Sequence, residues 1–525
     1  MIFVCILSAF FFFFCVPQWV ENNAIFAKNT NERKMSANLL KKDLSNLQEC
    51  FPKDFSSEQK SACKTLFFKK LSLLCHQYYG GIMHTFPKVS VEGFNWFNVW
   101  YTPGVSAVST TIRDNNDSSY QLSNRKNLVA VLSDSTRVLG DGDCTPPGGL
   151  GVMEGKAFLM KYLGGIDAMA LCIDSRDETG KNNPDKIVDF AKMVQHSFGA
   201  INLEDISSPN CFVVLDKCQE VCNIPVWHDD AQGTACITLA ALINALRLAK
   251  KNITETKIVL YGAGAANSTI ARLLMEYGAK GQNMILFDVN GTLDTDRKDY
   301  QENPKCYRQW ALCQNTNPFH IKTEEEAFKD ADVLIALSKP GPDTIKPEWI
   351  KLMADKAIVF TCSNPTPEIY PDAAKAAGAY IVATGRGDFP NQVNNSICFP
   401  AILKGVLAVQ ATKITDTMAI AAACAIADFA KNRGIDPNNI IPKMTETDVF
   451  PMVAAEVAMQ AIKEGHAKLH LSKQDVYQQT KNDIEHTRQM MNVLAQNGLI
   501  KPIDMQLVEN VLQETIEEIK TNSRQ

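Results

Sequence analysis

Lys257-Ile-Val-Leu-Tyr-Gly262-Ala-Gly264-Ala-Ala-Asn267 decides the fold. The run Ile258 to Tyr261 has the length and composition of a buried strand, and Ala265 to Tyr277 has the pattern of a helix. Glycines between them make a turn whose backbone can approach a pyrophosphate, whose charge then rests on the helix N-terminus. Gly262, Ala263, Gly264, Ala265 and Ala266 are therefore the candidate cofactor-binding turn. Asn267 departs from the full fingerprint, which has Gly or Ala there for close helix–strand packing. The flanks support the reading: Asp288 ends the next predicted strand, Met284 to Asp288, 21 residues after Asn267. A carboxylate there can bind a ribose hydroxyl, which favours NAD, whereas Arg297 and Lys298 lie close enough to pair with the 2′-phosphate of NADP. Both cofactors stay open.

Downstream, Ala331 to Leu337, Ala357 to Thr361 and Ala379 to Thr384 continue the series as nearly all-apolar strands, the signature of a parallel sheet covered on both faces. Upstream, residues 95 to 225 alternate apolar runs with helical patterns. Leu128 to Ser133 and Ala168 to Asp174 are strand-like, Val152 to Leu163 and Pro184 to Ser197 are helical, and Cys211 to Leu215 fits either. An apolar helix, Ile237 to Leu248, bridges the halves. Residues 36 to about 90 and 472 to 518 read as helical. The fold class is α/β in two domains: an N-terminal α/β domain for substrate and metal over 35–235, and a Rossmann-type dinucleotide-binding domain over 236–465. A helical C-terminal segment over 466–525 completes the expected layout.

Residues 1–34 stand apart. Ile2 to Val16 is almost unbroken apolar sequence with Phe10 to Phe14 in a row, the length of a signal-peptide core but without a basic stretch before it. Met35-Ser-Ala-Asn-Leu-Leu-Lys-Lys reads as an ordinary start, so Met35 is the expected initiator. A secretory signal or anchor is the alternative. Among 525 residues, 46% are hydrophobic and 21% charged, as in soluble globular proteins, and a formal charge of −5 argues against nucleic acid as a partner. Sixteen cysteines include no CxxC pair, and several lie inside apolar runs, as reduced core thiols of a cytoplasmic protein would. No stable membrane association is expected.

Four constellations carry chemistry. Glu204-Asp205 and Asp229-Asp230 are paired carboxylates, the oxygen donors that Mg²⁺ or Mn²⁺ prefers. His228 beside them reads as a hydrogen-bonded structural histidine rather than a ligand. Tyr101, before a Pro-Gly turn, can offer a hydroxyl as a general acid, and Lys156, at the start of an apolar helix, can serve as a base. Asn364 and Asn395 sit in loops after strands, where ligands of α/β folds bind.

In order, Tyr101-Thr-Pro-Gly-Val, Arg137-Val-Leu-Gly, Val152-Met-Glu-Gly-Lys156, Glu204-Asp205, His228-Asp229-Asp230, Gly262-Ala-Gly264, Ser363-Asn364-Pro-Thr-Pro-Glu-Ile and Asn391-Gln-Val-Asn-Asn395 resemble the malic enzyme family. The resemblance covers roughly 75 to 470. Gly385-Arg-Gly-Asp-Phe-Pro-Asn-Gln-Val-Asn-Asn395 is similar to the shorter, prokaryotic-type branch, while Arg137 resembles the carboxylate-binding arginine of the longer one. The resemblance implies oxidative decarboxylation of malate to pyruvate and CO₂, with NAD or NADP and Mg²⁺ or Mn²⁺. Lys156 would be the base for the C2 hydroxyl, with Asp229 beside it, and Tyr101 the acid that protonates C3. Glu204, Asp205 and Asp230 would hold the metal. Arg137, Asn364 and Asn395 would bind the substrate, Asn364 also touching the cofactor. A homodimer is implied, with malate, oxaloacetate and pyruvate as small-molecule partners.

Three features depart from the family pattern: Asp141 and Asp143 in Gly140-Asp-Gly-Asp-Cys-Thr-Pro-Pro, Asn267, and Lys339 in Leu337-Ser-Lys-Pro-Gly. They bear on cofactor affinity and preference. Two other readings remain: a malolactic or oxaloacetate-decarboxylating variant, and a silent sensor of dinucleotide or malate.

Overall fold

The computed structural model describes residues 40–138 and 140–522, and the leader of residues 1–34 lies outside them. The described residues form two compact units, one from 40–74 and 503–522 and one from 75–138 and 140–502. In the smaller, the first part of the Ser57–Tyr79 helix buries Cys63, Phe67 and Leu71, and the Met505–Asn522 helix buries Val508, Val511, Leu512 and Ile516. Lys70 and Glu518 pair at 2.6 Å across them.

The larger unit carries two sheets. The first, in the order β2-β1-β3-β4, comprises Asp167–Cys172 (β2), Leu128–Ser133 (β1), Ala200–Leu203 (β3) and Val226–His228 (β4), all parallel. The second, β10-β9-β8-β5-β6-β7, comprises Ile381–Thr384 (β10), Ile358–Thr361 (β9), Val333–Ala336 (β8), Ile258–Tyr261 (β5), Met284–Asp288 (β6) and Gly291–Thr292 (β7). Only β7 runs antiparallel. The expected strands are present, and so are the expected helices except that, within 40–90, only Leu47–Cys50 and Ser57–Tyr79 are helical. Three short strands, β3, β4 and β7, were not anticipated, and Cys211 to Leu215 resolves as part of a helix, Asn210–Val221.

Period-two alternation assigns each strand's two faces to different cores. Val129 and Val131 face one cluster while Ala130 and Leu132 face another. Ile258 and Leu260 join the same cluster as Val129, and Val259 points to a third. The shared cluster surrounds the Thr234–Ala249 helix, in which 13 of 16 residues are buried, and a helix apolar all round belongs in such an interior. Together with the turn before it, as Asp229–Ala249, it is among the described residues the one helix long and apolar enough to cross a membrane, and 83% of its most apolar 18-residue stretch is buried inside the fold. The described cysteines are free thiols, most of them in these cores.

Strand order reverses between β5 and β8, and the glycine turn sits there. Gly262 has φ +107°, and a Cβ on it would lie 2.3 Å from the Leu337 carbonyl oxygen that leaves β8, so only glycine fits. Asn267 explains its own departure from the fingerprint. Fully buried, it donates from Nδ2 to the carbonyls of Tyr261 (3.1 Å), Gly262 (3.0 Å) and Ile335 (3.4 Å), lacing the turn to β8. Asn267→Ala should therefore lower stability by about 1–3 kcal/mol in urea unfolding, the cost of stranding buried polar groups.

Candidate active site

The C-terminal ends of β1, β3 and β4 gather the chemistry. Leu203 and His228 are paired in register, so the residues that follow, Glu204-Asp205 and Asp229-Asp230, leave adjacent parallel strands side by side. Carboxylate oxygens of Glu204, Asp205 and Asp230 lie within 4.8 Å of one another, and Glu204 and Asp205 are buried. Asp205 takes a left-handed conformation (φ +53°), tolerable for Asp. Its N–H donates to Asp230 Oδ2 at 2.8 Å, while its carbonyl accepts from the Arg137 N–H at 3.0 Å. The exposed Arg137 is thus tied by its backbone to the acid cluster.

Lys156 enters from the Leu150–Gly164 helix. Its Nζ lies 2.9 Å from Glu204 Oε1, touches Asp229 Oδ2, and stands 4.8 Å above the Phe399 ring. Burial alone would lower the pKa of this ammonium, but Asp229, Glu204 and Asp230 outweigh burial and raise it. Burial also pushes the Glu204 carboxyl well above its ordinary value, opposed by Lys156 and reinforced by Asp230 and Asp229. Asp229 is raised by burial too, and its Oδ1 accepts from Trp227 Nε1 at 3.2 Å. Two carboxylates thus contact the one ammonium, and Asp205 and Asp230 stand beside Glu204. That shortage of positive charge, with an all-oxygen donor set, suits a hard divalent cation on Glu204, Asp205 and Asp230.

His228 differs from the expectation of a hydrogen-bonded structural residue. It is fully buried, neither ring nitrogen has a hydrogen-bond partner, Nδ1 lies 3.9 Å from Asp230, and burial pulls its pKa down to about 4.

Asp229 opens a single wide helical turn, Asp229–Gly233, that leads into the core helix. A Cβ at Gly233 would sit 2.0 Å from Asp229 Oδ1 and 3.4 Å from the Asn395 Cβ, so glycine leaves room for the carboxylate and places Asn395 beside it. The glycine-turn helix, Ala265–Tyr277, packs on this acid-bearing turn. Asn364 is met by the loop after β1, where a Cβ on Gly140 would lie 3.2 Å from its carbonyl oxygen. Buried Glu368 ties the loops after β8 and β9 together, accepting from Ser338 N at 2.9 Å and Ser363 Oγ at 2.5 Å.

The structure thus brings together Lys156, Glu204, Asp205, Asp229 and Asp230, and borders them with Arg137 and Asn395. Tyr101 is 71% exposed, and no hydrogen bond joins it to them among the described residues. Sequence reasoning missed Asn202, whose Nδ2 donates to Glu204 Oε2 at 2.9 Å, as well as Trp227 and Phe399. The signal for Asn202 was a polar residue between the apolar Ile201 and Leu203.

Asp288 ends β6 with its acceptor positions already used. Oδ1 accepts from Arg297 Nη1 (2.9 Å) and Asn290 N (2.8 Å), and Oδ2 from Arg297 Nη2 (2.6 Å) and Tyr300 Oη (2.6 Å). Arg297 also donates to Asp299 at 2.8 and 2.6 Å. A second acid–histidine group, Asp294, Asp296 and His320, is already paired with Lys322, which lies 2.6 Å from Asp294 and 3.0 Å from Asp296.

Residues 85–219 match the family described as malic enzyme, N-terminal domain, and residues 231–464 match malic enzyme, NAD binding domain, together more than half of the chain. The chain belongs to the malic enzyme family. A bifunctional malic/malolactic enzyme of Bacillus subtilis is 37% identical over 410 residues, covering 78% of this chain and 97% of the relative. An NAD-dependent malic enzyme of Geobacillus stearothermophilus is 39% identical over 390 residues, covering 74% and 78%. Among solved structures, the malic enzyme of Entamoeba histolytica superposes with a TM-score of 0.89 at 55% identity, covering 92% of this chain and 99% of that one. The malic enzyme of Pyrococcus horikoshii gives 0.76 at 40%, covering 85% and 100%.

Within this malic enzyme fold, Gly233→Ala should displace the Asp229 carboxylate. A loss of about 1–3 kcal/mol in urea unfolding is expected, the range for overpacking a buried site; unchanged stability would show that the turn has slack.

Proposed function

We propose that this malic enzyme converts L-malate to pyruvate and CO₂ with reduction of NAD or NADP, using Glu204, Asp205 and Asp230 to hold Mg²⁺ or Mn²⁺. The observation that carries the reading is the charge-deficient cluster at the ends of β3 and β4, with Lys156 held between Glu204 and Asp229. When bound, the cation supplies a positive charge that draws electrons from the substrate's oxygens, and the dinucleotide supplies the hydride acceptor.

The protein's own part follows from its geometry. As the site stands, Lys156 is held protonated by its acid neighbours. With a cation held by Glu204, Asp205 and Asp230, burial would lower the pKa of the amine; Asp229, in contact with Nζ, would take the ammonium proton, and the freed amine would then take the C2 hydroxyl proton. Arg137, Asn364 and Asn395 orient the carboxylates of the substrate. Tyr101 gives the proton to C3 after CO₂ has left.

The first test supplies purified protein with L-malate, Mn²⁺ and either NAD or NADP. Equal amounts of reduced cofactor and pyruvate are expected, and the absence of pyruvate with cofactor still bound would instead favour a sensor. The Bacillus subtilis relative's malolactic activity motivates a lactate assay in the same samples. Lactate without net cofactor reduction would replace the proposed reaction.

Two substitutions probe the roles. Lys156→Ala should lower kcat by about 10²–10⁴-fold, the usual worth of general acid–base catalysis, and near-normal turnover would remove it as the base. Asp230→Ala should weaken Mn²⁺ binding, read by calorimetry without turnover, while the circular dichroism spectrum stays unchanged; unaltered affinity would strike it from the ligand set.

Arg297→Ala addresses preference, because it frees acceptor positions on Asp288 for a ribose. The ratio of kcat/KM for NAD to that for NADP should rise about tenfold, the equivalent of one charged hydrogen bond. An unchanged ratio would separate this pair from cofactor choice.

A further inference from the structure

Glu368 is a carboxylate to which the proposed chemistry gives no task. It closes the stretch Ser363-Asn-Pro-Thr-Pro-Glu368 after β9 and is fully buried. A charge in such a place persists where donors surround it. Here the donors come from two loops. Oε1 accepts from the Ser338 N–H at 2.9 Å, in the loop after β8, and from the Ser363 hydroxyl at 2.5 Å, in the loop after β9. Oε2 accepts from the Ser363 N–H at 3.2 Å. One oxygen thus bridges both loops. Burial raises this carboxyl above its ordinary value, while Ser363 and Ser338 draw it back. The Glu368 carbonyl also accepts from the Ile345 N–H at 3.0 Å, which closes the backbone behind the bridge.

The bridged loops border the glycine turn. A Cβ on Gly262 would lie 3.1 Å from the Ser338 Cα, so the loop after β8 lies against the turn. Ser338 Oγ is a buried atom with no hydrogen-bond partner among the described residues. A hydroxyl stranded beside such a turn is of the kind that a bound ligand satisfies. In the other loop Asn364 is hemmed in on two sides. Cβ atoms on Gly140 and Gly385 would lie 3.2 Å from its carbonyl oxygen and 2.9 Å from its Nδ2. Strands β9, β8 and β5 are neighbours in the sheet. A shift of either loop therefore changes the space beside the turn.

We propose that Glu368 is a positioning residue for the dinucleotide: it fixes the spacing of the loops after β8 and β9, so that Ser338 Oγ meets an oxygen of the cofactor. The proposal rests on the reading of the glycine turn as the cofactor site. The bridge calls for a carboxylate, because both of its oxygens accept. A glutamine in its place would turn its amide nitrogen toward the Ser363 N–H or, flipped, toward the Ser338 N–H. Either way one buried N–H faces another donor.

Dinucleotide binding without malate or Mn²⁺ tests it. Calorimetry compares the full-length wild type with Glu368→Gln, using NAD and NADP in separate titrations, and Mn²⁺ affinity is measured on the same samples. The dinucleotide Kd should rise about tenfold, the equivalent of one charged hydrogen bond. In turnover the KM for the cofactor should rise with it, while kcat falls by less. Mn²⁺ affinity should be unchanged, because the acids stand at strand ends of the other sheet. An unchanged dinucleotide Kd would overturn the proposal. So would an equal loss of Mn²⁺ affinity, which would mark general loosening rather than positioning.

If Glu368→Gln does not fold, two milder variants carry the test. Ser363→Ala removes one arm of the bridge and keeps both N–H bonds; Ser338→Ala removes the stranded hydroxyl and keeps the bridge. Each should raise the dinucleotide Kd about fivefold, the equivalent of one neutral hydrogen bond, and unchanged values in both would overturn the proposal. Wild-type protein that bound neither NAD nor NADP is a separate result: it would remove the cofactor reading itself, and the proposal with it.

Discussion

The carboxylates crowded at the ends of β3 and β4 are the constraint on which the rest of the site depends. Parallel pairing places Glu204 and Asp205 beside Asp229 and Asp230 with no choice left to the side chains. Burial then raises the cost of every uncompensated charge. Each nearby feature relieves part of that cost: the Lys156 ammonium, the Trp227 and Asn202 donors, and the backbone N–H that Asp205 turns toward Asp230. What they leave over is negative, and that surplus gives the site its appetite for a cation.

The same strand ends fix the relation between acids and nucleotide turn. The wide turn after β4 continues into the buried core helix, and the glycine-turn helix packs on that wide turn. Two sheets sharing one apolar core through a single helix give a rigid floor. The loops that carry Arg137, Asn364 and Asn395 rise from it at their strand ends.

Much of this was legible in the sequence. The glycine turn, its strand and its helix were read to the residue because Gly262 and Gly264 punctuate an uninterrupted apolar run, and the later strands are too apolar to be anything else. The acids could be seen as pairs, but β3 and β4 are only four and three residues long, too short to show a period. Sequence therefore named the carboxylates without revealing that they end neighbouring strands. Asn267 looked like a defect in a fingerprint, and only the three carbonyls within its reach show it to be a brace. Asp288 was legible by position, whereas the closed network with Arg297, Asn290 and Tyr300 depends on side-chain geometry that spacing does not encode.

The free thiols carry one further consequence, for oxidative chemistry. Peroxide attacks thiolates, and burial disfavours them at Cys211 and Cys313, whose thiols are pushed up to about 12. At neutral pH their reactive fraction is of order one part in 10⁵. Cys398 is also held protonated by burial, and its sulfur donates to the carbonyl of Gly233, the glycine that makes room for Asp229. A sulfenic acid there would wedge an extra oxygen into the tightest point of the site. Oxidation of that thiol is thus opposed by packing for as long as the core stays closed.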